Sequence, residues 1–471
     1  MKKWIHTIIV ILLMFGLRFV PAPDPITETG MAVLGVFAGA IWGWIFIDIG
    51  WPSILGIFAL GTTSYSTMTD LFTGVFGSQN AVLILGLLII TAFVESEGLA
   101  PIITQKLLSL KVSQQRPYLT VFLFLLACFF TSLLGYANAA VLVFIELTRS
   151  MMKETGIKAH SRQLPVFLCG FPIAVTLGDC AVPFKASAIV FMSTYASVTG
   201  TEMNTAKFTA FALPTCIMLL AAYTLICKFI LRVDMSMLKG YKVSDENRIE
   251  ITPRKKASLI ATIVVLVALV VPSLIPAGGL KSFISSLGLG GLVLFFLVVL
   301  SLICVEGEPL VDVQKLAANF KWKVFFLAAF ILPTASALVS DATGIKVFVS
   351  NALQGMTSGM PLIVYVIFIL VATFLLTNLC NNMVIAAIMT SLVCITAASM
   401  PALCVPALCV CISLTTDFAC FFPSACPPAA ICFSQKDLVS FKEMFTHGII
   451  ACSCMVIFMI IIAFPYANLI F

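Results

Sequence analysis

Apolar runs of about twenty residues recur from one end of this chain to the other. As helices rising ~1.5 Å per residue, such runs match the ~30 Å hydrocarbon core of a bilayer. Apolar residues make up 61% of the chain and charged residues 10%, against roughly half and a quarter in soluble domains. The chain therefore reads as a polytopic helical membrane protein. The first run, Trp4 to Ala22, follows Lys2 and Lys3 like a signal peptide. Phe19 to Pro25 holds no small-x-small cleavage site, so it is expected to be a retained helix.

Spans are expected at 4–22, 29–49, 51–72, 80–98, 164–198, 207–231, 257–276, 281–304, 323–340, 402–433 and 448–469. The second half of 51–72, TTSYSTMTD, is polar and makes that span the weakest of the eleven. Two further runs, 118–148 and 361–398, are too long for one crossing and too short for two. The second carries TNLCNNMVIAA at its centre, with Asn378, Asn381 and Asn382 where a plain membrane helix needs no asparagine. Both runs read as re-entrant hairpins that return to the side they entered from. On that reading the outside loops hold only Arg18, Lys207, Lys281 and Lys346. Lys185 lies in the membrane, and the other 22 of the 27 basic residues are cytoplasmic. Treating either run as an ordinary crossing spoils this bias, so the positive-inside rule favours the hairpins. The N-terminus then lies inside and the C-terminus outside the cytoplasmic membrane.

The polar segment from Arg232 to Lys256 divides the chain into comparable halves. ESEGLAPII in the first half is followed, 33 residues after Gly98, by TSLLGYANAA starting at Thr131. SDATGIKVF in the second is followed, 33 residues after Gly344, by TNLCNNMVIAA starting at Thr377. KASAIVF (185–191) likewise parallels PPAAICF (427–433). Each half reads as five spans plus a hairpin, and an odd number of spans inserts the copies in opposite orientation. The expected organisation is an N-terminal helix (1–28), a first repeat (29–231; hairpin 118–148, interrupted helix 164–198), a cytoplasmic linker (232–256) and a second repeat (257–471; hairpin 361–398, interrupted helix 402–433). The fold class is an all-α polytopic membrane protein with about eleven transmembrane helices and two re-entrant hairpins in an inverted repeat.

Inverted repeats with helices broken at mid-membrane are a common plan of secondary transporters, because two similar halves of opposite orientation exchange conformations at similar energies. Breaks are expected near 134–138, 380–382, 178–185 and 421–428. Each starts a half-helix whose free N–H groups and positive dipole end favour an anion. Pro427 and Pro428 suit such a start, since proline at a first helical position lacks only an N–H that would be unpaired anyway.

These motifs, from about Ala81 to the C-terminus, resemble the divalent anion:sodium symporter (DASS) family of the ion transporter superfamily. The resemblance implies transport of dicarboxylates, tricarboxylates or sulfate by an elevator motion, usually as a homodimer, coupled to sodium or by exchange. Family members carry Ser-Asn-Thr at each hairpin tip and a Thr-Pro-Pro-Asn-like motif in each interrupted helix. Here Cys380-Asn381-Asn382 keeps the central Asn, and Leu134-Gly135-Tyr136 keeps none, with Asn138 two residues on. Cys426-Pro427-Pro428-Ala429 keeps both prolines, and Phe184-Lys185-Ala186-Ser187 keeps almost nothing. A lysine beside a sodium position would replace the ion's charge, which implies sodium-independent exchange or proton coupling.

The expected substrate site holds Tyr136, Asn138, Lys185, Thr377, Asn378, Cys380, Asn381, Asn382, Pro427 and Pro428. The asparagines either meet a substrate carboxylate or satisfy backbone freed by the break. Lys185 costs at least roughly 2.5–3.5 kcal/mol at mid-membrane. It serves either as counter-charge to an anionic substrate or as a structural partner of Asp179. Asp179 and Asp417 are candidate coupling residues. Glu95, Glu97 and Glu146 read as solvated cytoplasmic helix ends, and His6, His160 and His447 lie near the interfaces.

The sixteen cysteines lie mostly in apolar segments without paired ligand spacing, so no metal site or cofactor is expected. The coupling ion, sodium or a proton, stays open. The net charge of +6 follows from topology and needs no nucleic-acid partner. Leu177-Gly178-Asp179 and Thr416-Asp417 are incomplete versions of intramembrane aspartyl-protease motifs, and no filter-like loop or charge ring marks a channel. Within transporters, the rivals are a cation/proton antiporter using the two aspartates and the membrane subunit of a binding-protein-dependent system. The reading is a secondary transporter of a small organic di- or tricarboxylate or similar oxyanion.

Overall fold

A computed structural model of the chain describes residues 2–99, 107, 115–134, 137–241, 252–270, 278–349, 351, 360–397, 400–423 and 425–471. The first half opens with α1 (Lys2–Gly16), α2 (Glu28–Phe46), α3 (Gly50–Gly61), α4 (Met68–Phe76) and α5 (Gln79–Ser96). The first long run divides into α6 (Pro117–Leu133) and α7 (Ala137–Thr155). A broken helix follows as α8 (Leu164–Cys180) and α9 (Ala186–Thr199), and then α10 (Thr205–Phe229).

The second half likewise holds a divided run, a broken helix and a long closing helix. It has α11 (Pro253–Val270), α12 (Gly279–Leu302) and α13 (Trp322–Val339), then the second long run as α14 (Leu362–Thr377) and α15 (Asn382–Thr396). Its broken helix is α16 (Val405–Thr415) and α17 (Pro427–Ser434). The chain ends in α18 (Phe441–Phe458), which runs through a π-helical turn into α19 (Phe464–Ile470). The strand content among the described residues is a two-residue ladder, Cys304–Val305 against Glu308–Pro309.

Local chemistry accounts for many of the boundaries. Thr27, Ser78 and Asn204 each accept a backbone N–H at the start of α2, α5 and α10, and Ser440 with Glu443 forms a reciprocal capping box before α18. The polar stretch that weakened the span at 51–72 splits it. There α3 stops at Gly61, Thr67 caps α4, and Arg18 donates to the Thr62 hydroxyl at 3.0 Å. Gly98 and Gly344, which anchor the repeated spacing, adopt the same left-handed turn (φ +60° and +66°).

Among the described residues, α2, α10, α13 and the continuous Phe441–Ile470 helix are each long and apolar enough to cross a membrane. Met68–Phe76 with Ala81–Ser96, bent by 41°, adds a fifth. The other apolar helices are shorter, among them arms of both divided runs and three of the four halves of the broken helices. Large apolar side chains stand outward on α1, α12, α14 and the final helix; Trp4 is 74% exposed and Leu302 76%. Such a surface is stable where hydrocarbon is the solvent.

Two contacts place the broken elements. The second arm of the first hairpin, α7, packs on α17, and the second arm of the second hairpin, α15, packs on α9. Each hairpin therefore rests on the broken helix of the other half. The first arm α6 lies against α8, and at Gly178 the approach is so close that an added Cβ would stand 2.6 Å from the Phe129 carbonyl oxygen. Gly178→Val should lower the stability of the detergent-purified protein by about 2 kcal/mol or more, since overpacking here meets backbone. Gly74→Ala in α4, where nothing lies within 4 Å, should be neutral or raise stability by about 0.5–1 kcal/mol. Thermal unfolding of the two variants checks the pair; equal melting temperatures would contradict the close packing.

Candidate functional site

The broken helices expose peptide groups that water does not reach, and named side chains satisfy them. At the first break, residues 181–185, the Phe184 carbonyl accepts from the Thr91 hydroxyl of α5 at 2.5 Å. At the second, residues 416–426, the Thr416 carbonyl accepts from Thr377 at 2.6 Å and the Asp417 carbonyl from Thr176 at 2.9 Å. The Phe418 carbonyl accepts from the Asn378 amide at 2.8 Å, and the Phe421 N–H donates back to the Asn378 oxygen at 3.4 Å. Thr377 and Asn378 are fully buried; Asn378 spends its polar atoms on backbone, and the Thr377 hydroxyl also stands 3.1 Å from Asn382 Oδ1. Neither lines the adjoining cavity, and neither does the half-buried Cys380.

That cavity, of about 300 Å³, is walled by the first turns of four helices. Ala137 and Asn138 begin α7, and Ser187 begins α9. Asn381 to Met383 begin α15, with the Asn381 side chain accepting the Met383 N–H at 3.0 Å. Cys426, Pro427 and Pro428 begin α17, with proline at both opening positions. Thr176 and Asp179, in the last two turns of α8, complete the inner wall. Ile49 and Lys321, at the N-caps of α3 and α13, close it from outside the broken elements. Four helix N-termini around one cavity favour negative charge there through their dipoles. Tyr136 lies outside the described residues.

Behind the wall is a chain of buried charges. The Lys185 ammonium, 1% exposed, stands 3.1 Å from Asp179 Oδ1 and 3.3 Å from Glu95 Oε1. The same Glu95 oxygen accepts from the Lys321 ammonium at 2.7 Å. Lys185 therefore sits behind Asp179 and off the cavity surface, while Lys321 is the cation on that surface among the described residues.

Two sequence expectations are corrected here. Glu95, expected at a solvated helix end, has a side chain only 1% exposed. Glu97 is 8% exposed and held by Arg254 at 2.8 Å and Ser258 at 2.9 Å. Residues 313–319 and α13 pack on α5; Lys321 covers Glu95, while Arg254 and Ser258 of α11 cover Glu97. Glu146 is solvated as expected, its side chain 75% exposed.

Asp417 follows the end of α16 as Asp179 closes α8, so each carboxylate sits where a helix dipole disfavours negative charge. Asp417 is 1% exposed, lies beside Asn382 and Cys180, and leaves Oδ2 without a hydrogen-bond partner among the described residues. Sequence reasoning missed Thr176, Ser187, Glu95 and Lys321. The two charges sit at helix ends next to loops, where a solvated reading is the default. The clue was the separation of Glu95 and Glu97 by two residues, which puts them on opposite faces of α5 so that both cannot share one solvent-facing side.

Broken helices meeting tip to tip around one cavity, with asparagines and ionised side chains in its wall, define a membrane transporter. The family described as "Citrate transporter" matches residues 37–416, and the chain belongs to that family. No curated protein matches the sequence. A crystal structure of the YdaH transporter of Alcanivorax borkumensis, described as having an unusual topology, is similar with a TM-score of 0.59 at 13% identity. It covers 99% of this chain and 98% of that one, and the likeness is one of fold.

Removing Lys185 would leave Asp179 and Glu95 with Lys321 as the single cation between them among the described residues. Lys185→Met should destabilise the protein by about 3–5 kcal/mol, as expected when one partner of a buried ion pair is lost. Adding Asp179→Asn should recover part of that loss. Melting temperatures of the single and double variants check this, and additive losses would argue against the pairing.

Proposed function

We propose that the protein is a secondary transporter of a small organic di- or tricarboxylate, with citrate as the first compound to test because the family bears its name. The observation that carries this reading is the cavity formed by the first turns of α7, α9, α15 and α17. Its volume falls at the small end of known ligand sites, which span roughly 300–1,000 Å³. Asn138, Asn381 and Asn382 would hydrogen-bond carboxylate oxygens, and the helix N-termini of α15 and α17 would supply partial positive charge. The proline pair at 427–428 would keep the opening of α17 free of N–H groups that need a partner.

In this reading the chain crosses the cytoplasmic membrane with its N-terminus inside and works as a homodimer by an elevator motion of the hairpins and broken helices. Cavity access then alternates between the two faces. Asp417 would carry a coupling proton: its buried oxygen, without a hydrogen-bond partner among the described residues, is a place to hold one, and Asp179 would take the corresponding position in the other half. Lys185 would keep the buried charges near neutrality in place of a bound sodium ion. The same two aspartates support a second reading, a cation/proton antiporter, in which the cavity would take a cation beside Asp179.

Reconstitution of the chain alone in liposomes separates the two. Radiolabelled citrate should accumulate and exchange, and replacing sodium by choline should change the rate less than about twofold. Sodium-driven proton release without carboxylate uptake would favour the antiporter. Asn381→Ala should raise the half-saturation constant at least about tenfold, the loss expected when a buried polar contact to substrate disappears. Asp417→Asn should remove the pH dependence of net uptake while leaving exchange, as measured by uptake across a range of internal and external pH.

A further inference from the structure

Lys321 is set apart from the rest of the cavity wall. It comes from the N-cap of α13, outside the four half-helices, yet it lines the cavity and its side chain is 24% exposed. Its partner there, Glu95, is a carboxylate from a third element, the last turn of α5, and is itself buried. We infer that Glu95 is a built-in stand-in for the cargo: in the empty site its carboxylate occupies the cation that an incoming substrate carboxylate must take, and binding proceeds by exchange of one for the other on Lys321. The inference rests on the carboxylate-transporter reading and names a competitor within that site.

Charge and position support it. Among the described residues, the ion pairs set Lys185 and Lys321 against Asp179 and Glu95, two cations against two carboxylates. A further anion entering the cavity would upset that balance unless one carboxylate yields its place. Asp179 already has Lys185 at 3.1 Å. Glu95 Oε1 is shared between both lysines, and its Oε2 has no hydrogen-bond partner among the described residues. Glu95 can release Lys321 and keep Lys185, whereas Lys321 already reaches the cavity and needs no new path to meet a substrate. A site occupied by its own carboxylate most of the time binds cargo with an apparent affinity reduced by the unoccupied fraction.

The sign of the effect tests this. Equilibrium binding of radiolabelled citrate to purified, monodisperse protein should tighten about tenfold in Glu95→Gln, since the competitor is gone, and weaken at least about tenfold in Lys321→Gln. The double variant should bind as weakly as Lys321→Gln alone, because without the lysine there is nothing to compete for. A carboxylate that merely holds the fold together predicts the opposite sign for Glu95→Gln, so weaker or unchanged binding in a folded variant would overturn the inference. If Glu95→Gln does not fold, Lys321→Gln decides: citrate binding equal to wild type overturns it. Wild-type protein that binds no citrate or other carboxylate would instead refute the transporter reading on which this rests.

Discussion

A peptide group taken out of a helix inside hydrocarbon has no water to turn to, and each one left unpaired costs several kcal/mol. The centre of this protein is arranged around that requirement. Carbonyls of the second break are received by Thr377, Thr176 and Asn378, and a carbonyl of the first by Thr91. Those side chains come from a hairpin tip, from the other broken helix and from α5. The first break depends on α5 being in place, and the second on the hairpin tip and α8. The cavity follows from this arrangement, because helices that restart at the breaks turn their open ends toward one volume.

The buried charges answer a second requirement. Ionised groups in a low-dielectric interior persist when they are paired and hydrogen-bonded. Lys185, Glu95, Lys321 and Asp179 form a continuous run of contacts of 2.7 to 3.3 Å, drawn from α5, α8, the first break and the start of α13. The run ties helices that are distant in sequence to one another at the level of the cavity. Two residues beyond Glu95, Glu97 fastens the far side of α5 to Arg254 and thus to α11. α5 is therefore gripped by charge on both faces of its last turn.

Much of this was legible in the residues. Run length and composition led to the helices, and run length alone marked 118–148 and 361–398 as divided; α6 ends at Leu133 and α7 begins at Ala137, and α14 ends at Thr377 and α15 begins at Asn382. The prolines at 427–428 marked the restart of α17, while the start of the second break, at Thr416, lay five residues earlier than expected because Thr416 and Asp417 carry no breaker. Side-chain assignments were harder. Asn378, Asn381 and Asn382 look alike in sequence, yet the first is buried against backbone and the other two face the cavity, since a helix end turns successive residues in different directions. Lys185 attracted attention because it lies within an apolar run. Lys321 did not, since one residue before a helix a lysine reads as surface. Burial of Glu95 and Lys321 depends on contacts across more than two hundred residues, which no local pattern reports.

Asn378 carries one more implication. Its amide holds carbonyls on both sides of the gap, Phe374 within its own helix at 3.0 Å and Phe418 in the unwound strand at 2.8 Å, while Thr377 holds Thr416 one step away. The second tip and the second break are thereby stitched into a single piece. Swinging the tip open like a lid would strand these carbonyls in a dry interior, whereas translating tip and break together would leave every stitch intact. The seam makes the hairpin a poor hinge and a good handle.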